Sequence, residues 1–88
     1  MSYSYADQRA RLFTEEGQRL FLKIRDKTHL LIKQAGAVRL QEAISGNSGD
    51  SWDMIACVDR LVELGEIREL EYGKCAGQHR VFVSGAWE

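Results

Sequence analysis

The chain has 88 residues, 44% hydrophobic and 28% charged, with no proline, two cysteines and a formal net charge of −1. That length supports one small core and argues against a multi-site enzyme, and the balance of apolar and charged residues excludes intrinsic disorder. The near-neutral total lacks the strongly basic profile of many nucleic-acid binders, and no apolar run approaches the roughly 20 residues of a membrane span; the expectation is a soluble, cytoplasmic protein with no membrane association.

In chain order, residues 1–13 carry Tyr3, Tyr5, Leu12 and Phe13 among polar neighbours and read as an arm or a short extra helix that packs on something. Thr14 is a suitable N-cap, and Glu15 and Glu16 follow where they favourably meet the helix dipole. From there to Ala35 a long helix is predicted. On a 100° wheel, Leu20, Phe21, Ile24, Thr28, Leu31, Ile32 and Ala35 fall within about 120° and form the buried stripe, with Gly36 as the C-terminal stop. Leu22, Leu30, Lys23 and Arg25 lie off that stripe and form a candidate interaction surface, unless the N-terminal arm covers the two leucines.

Ala37 and Val38 can make a very short strand before a second helix, Arg39 to Ile44, that points Leu40, Ala43 and Ile44 inward. Ser45 to Gly49 is a turn by composition. Asp50 or Ser51 caps a third helix reaching about Leu64, whose wheel puts Met54, Ile55, Val58, Leu61 and Val62 on one side and Asp53, Ala56, Cys57 and Arg60 on the other. Trp52 sits at the edge, as a hydrophobic anchor rather than a stacking platform. Gly65 ends this helix, Ile67 to Tyr72 is a strand, Gly73 to Gly77 a turn, and His79 to Val83 the return strand. The domain is expected over 14–84, with 85–88 as a tail containing Trp87.

The segment Asp59-Arg60-Leu61-Val62-Glu63-Leu64-Gly65-Glu66-Ile67-Arg68, followed by Arg80-Val81-Phe82-Val83, resembles the recognition-helix end and wing of bacterial winged helix-turn-helix regulators. The resemblance spans roughly residues 15 to 83 and implies an α+β fold of three helices with a two- or three-stranded wing. It further implies that the third helix enters a major groove. Arg60, Asn47, Ser48 and Ser51 would then face double-stranded DNA, and Arg39, Lys74, His79 and Arg80 would lie near phosphates.

Charge weighs against a strong DNA binder. Residues 1–44 carry +3 and residues 45–88 carry −4, so the half holding the recognition helix is acidic. Two readings stay open: a DNA-binding regulator, acting as a homodimer with weak or unusual contacts, or a winged-helix module that binds another protein or a second copy through complementary patches. No phosphate loop, cofactor motif or nucleophile constellation is present, so neither an enzyme nor a cofactor is expected. A zinc site would need Cys75 and His79 joined by Cys57 and His29, a weak pattern, and both thiols read as reduced.

Overall fold

A computed structural model of the protein describes residues 2–70 and 80–85. Within them the chain forms α1 (Tyr5–Gln8), a 3-10 helix (Arg9–Phe13), α2 (Glu15–Ala35), β1 (Val38–Arg39), α3 (Leu40–Ile44), α4 (Ser51–Glu63), β2 (Ile67–Glu69) and β3 (Val81–Ser84). The α+β class expected from the sequence is present, with one more α-helix than the three expected. The additional helix, α1, belongs to the N-terminal arm.

Local chemistry sets the element ends. The Thr14 hydroxyl accepts from the Gly17 amide at 3.0 Å, and the Asp50 carboxylate accepts from the Trp52 amide at 2.8 Å, so both long helices start on side-chain caps. Gly36 and Gly65 end their helices at φ values of 83° and 77°, in the left-handed region that a residue with a Cβ enters only at a cost.

The three strands form an antiparallel sheet in the order β1-β3-β2. Phe82 is opposite Val38 on one side and Glu69 on the other, which places its ring at the sheet's centre, fully buried. Ile24, Ile32, Val58, Leu61, Ile67 and Phe82 form the heart of the core, between α2, α4 and the sheet. Leu12 of the arm joins them at 2% exposure.

Two expectations about helix faces need correction. On α2, Phe21, Ile24, Thr28 and Ile32 are buried and Leu20 and Leu31 half-buried as expected, but Ala35, the helix's last residue, is exposed. On α4, Ala56 and Cys57 were expected to face outward and are fully buried. The helix is rotated so that Cys57 joins Met54, Val58 and Leu61 on the core side, while the arm packs over the opposite side at Ala56.

Candidate interaction surfaces

The outward face of α4 carries Trp52, Asp53, Ala56, Asp59, Arg60 and Glu63, and the N-terminal arm lies across it. The Tyr3 hydroxyl donates to Asp59 Oδ2 at 2.6 Å, and its ring meets Trp52 edge-on at a centroid distance of 6.3 Å. Tyr5 donates to Glu63 Oε1 at 2.9 Å, and Arg9 Nε reaches both Glu63 oxygens at 3.1 Å. Arg11 forks onto Asp53, with Nε 2.9 Å from Oδ1 and Nη2 3.0 Å from Oδ2. These contacts join residues 42 to 58 positions apart.

The electrostatics follow from this geometry. Hydrogen bonds from Arg60, Tyr5 and Arg9 hold the Glu63 carboxyl down to about 2. Burial, reinforced by the nearby Asp53 charge, pushes the Cys57 thiol up to about 12, so it is an inert, protonated core group. Burial and the Asp59 hydrogen bond raise Tyr3 well above the ordinary phenol range.

Arg60, expected to read a base, is instead engaged within the chain. Its guanidinium pairs with Glu63 and lies 5.3 Å from the centroid of Phe13, whose ring also meets Arg9 at 5.0 Å. Arg80 is likewise turned inward, at 2.6 Å from Asp59 and 2.8 Å from Glu69, with its side chain 18% exposed. Arg39 is exposed and 3.9 Å from Glu42. Lys74 and His79 lie outside the described residues, as does Trp87.

Asn47, Ser48 and the start of α4 border a cleft of about 860 Å³ between the α3–α4 turn and the first turns of α2, which Arg11, Arg19 and Lys23 also line. Ser51 is exposed next to Asp50, which does line the cleft. Its cations are matched by Glu15, Glu16, Asp50 and Asp53. Arg39, Arg60 and Arg80 do not line it.

The arm does not cover the leucines of α2. Leu22 and Leu30 remain 51% and 53% exposed on its outward side. Lys23 and Lys33 share that helix and, among the described residues, make no hydrogen bond or ion pair. Arg25, placed with them from the sequence, instead donates to Glu66 Oε1 at 2.8 Å, beside His29 at 2.7 Å from the same oxygen. Burial works to raise the Glu66 carboxyl, and the hydrogen bonds from Arg25 and His29 overcome it and lower the pKa.

Sequence reasoning missed Arg9, Arg11 and the two tyrosine hydroxyls as partners of α4. The signal was the aromatic content of residues 1–13 together with the opposite charge of the two halves, a difference that, among the described residues, three cross-half arginine–carboxylate pairs partly neutralise inside the fold.

No protein-family model, no curated protein and no solved structure matches the chain. Among the described residues, no cluster of His, Cys, Asp or Glu is placed to hold a metal, and no helix is long and apolar enough to cross a membrane.

Proposed function

We propose that the chain is a winged-helix protein-interaction module that docks through the outward side of α2. The order α2, β1, α3, α4, β2, β3 with β3 central supports the winged-helix reading of the fold. The observation that carries the function is the contrast between two helices: the face of α4 that would enter a groove is occupied by the chain's own arm, whereas Leu22 and Leu30 stand half-exposed beside Lys23 and Lys33, which pair with no described residue. An exposed apolar patch rimmed by polar residues is a mark of a protein-interaction site.

The partner is a different protein rather than a second α2. A two-fold antiparallel pairing that matched Leu22 with Leu30 would set Asp26 against Asp26 and Arg19 against Lys33, and like charges so placed oppose association. The test combines two measurements. Duplex DNA at about 50 mM salt, where phosphate attraction is least screened, is expected not to bind. A protein partner recovered from the source cells is expected to be lost with Leu22→Gln/Leu30→Gln and kept with Arg39→Ala. Partner binding indifferent to the two leucines removes this reading.

The second reading is a DNA-binding regulator working as a dimer. The observation favouring it is the cleft that brings Arg11, Arg19 and Lys23 beside Asn47 and Ser48. Saturable, salt-sensitive duplex binding weakened by Lys23→Ala would establish it.

A further inference from the structure

We propose that the outward face of α4 is itself a docking surface for a basic, tyrosine-bearing segment of a partner protein, and that the N-terminal arm is its resident competitor. This surface lies on a different helix from the α2 face, so the proposal stands or falls separately from the function proposed above.

Without the arm, the face offers three carboxylates, Asp53, Asp59 and Glu63, around the small Ala56 floor and the Trp52 ring, against two cations, Arg60 on Glu63 and Arg80 on Asp59, so that Asp53 loses its only described cation. A surface of that kind attracts a basic segment and gives aromatic side chains a place to lie. The arm has the complementary chemistry. Two arginines and two tyrosine hydroxyls each engage one of those carboxylates, at 2.6 to 3.1 Å.

The arm is also built to leave. Its one-turn helix α1 contains no buried residue, and Arg9, Arg11 and Phe13 are 43%, 60% and 51% exposed. Ion pairs so exposed contribute little in water, on the order of 0–1 kcal/mol each. Among the arm's described residues only Leu12 is buried, with Tyr3 and Tyr5 half-buried at the core's edge, so residues 2–11 can lift while Leu12 keeps its place. Ile24, Ile32, Val58 and Leu61 share one core cluster with Leu12, while Tyr3 and Tyr5 pack only at its edge. Local opening therefore exposes the face without unfolding the domain, and a partner binds in proportion to the fraction opened.

The probe is a fluorescein-labelled peptide with the sequence of residues 2–13, titrated against the full chain and against full-chain Arg9→Glu/Arg11→Glu, whose own arm is repelled by α4. The variant is expected to bind the peptide at least ten-fold more tightly than wild type. Adding Asp53→Asn/Glu63→Gln is expected to abolish that binding. Should the charge reversal unfold the chain, full-chain Tyr3→Ser/Tyr5→Ser loosens the arm without changing charge and carries the same expectation. Absence of peptide binding to a folded, arm-loosened variant overturns the proposal. Equal binding to wild type, or binding that survives loss of the two carboxylates, overturns it as well.

Discussion

Arg80, just before β3, donates from Nη2 to Asp59 Oδ1 on α4 at 2.6 Å, while its Nε and Nη2 hold both oxygens of Glu69 at 2.9 and 2.8 Å. Asp59 also accepts the Tyr3 hydroxyl, so one carboxylate ties the sheet, α4 and the arm together. The Glu69 hydrogen bonds lead in raising Arg80 above the ordinary guanidinium range, with burial opposing them. Its position on the return strand suggested a phosphate contact; its side chain instead lies over the Phe82 ring and locks the sheet to α4.

Arg80→Met should therefore destabilise the fold, by about 2–4 kcal/mol, because it leaves the largely buried Asp59 without its cation. Urea denaturation measures this. A change below about 0.5 kcal/mol, the usual cost at an exposed surface position, would show that the ion pair is not structural.

The hold of the arm on α4 should depend on pH in a defined direction. The Glu63 carboxyl is held at about 2 in the folded chain against its ordinary 4.5. A group whose folded value lies below its unfolded value stabilises fully above the unfolded value, and that contribution disappears as pH falls toward the folded one. Amide exchange in residues 3–11 is expected to accelerate as pH is lowered from about 4.5 to about 2, beyond the intrinsic pH dependence, with Glu63→Gln showing the faster exchange already at pH 7. Protection that is the same in Glu63→Gln and wild type would contradict this.

Gly17→Ala should weaken the protein even though alanine is the better helix former by about 1 kcal/mol. A Cβ at this position would stand 2.1 Å from the Arg11 carbonyl oxygen and 2.8 Å from the Leu12 Cα, both backbone atoms. The arm and the start of α2 must then separate, at a net cost of about 1–3 kcal/mol, read as a lowered Tm. A raised Tm would mean that the two segments are less closely packed than these distances require.

Cys57 should resist alkylation in the folded state. It is fully buried, and its thiol is held protonated up to about 12. In a Cys75→Ser background, iodoacetamide at pH 8 is expected to label Cys57 only in denaturant, detectable by intact mass. Labelling of the native chain within minutes would place the thiol at the surface.

Much of the frame was legible because it rests on local chemistry: the Thr14 and Asp50 caps, the glycine stops, and the spacing of Phe21, Ile24, Thr28 and Ile32 each depend on a few neighbouring residues. The phase of α4 was not. Ile55 and Val62 are half-buried and Cys57 fully buried, a distinction that a wheel with apolar residues on most sides cannot make. Nor could the site be read from pattern. The arm's course is set by ion pairs spanning more than forty positions, through a 3-10 segment with no amphipathic period, and such pairs leave no mark on local sequence beyond a charge imbalance.

The central position of β3 has a consequence for biogenesis. Among the described residues, Val38 and Arg39 pair with β3 alone, and so does β2. During synthesis both flanking strands thus emerge with their edges unsatisfied and wait for Val81–Ser84, while α2 and α4, already made, can associate through Ile24 and Val58. The nascent chain is expected to pass through a helical intermediate on the ribosome, protease-sensitive at β1, that becomes resistant only once Ser84 has cleared the exit tunnel.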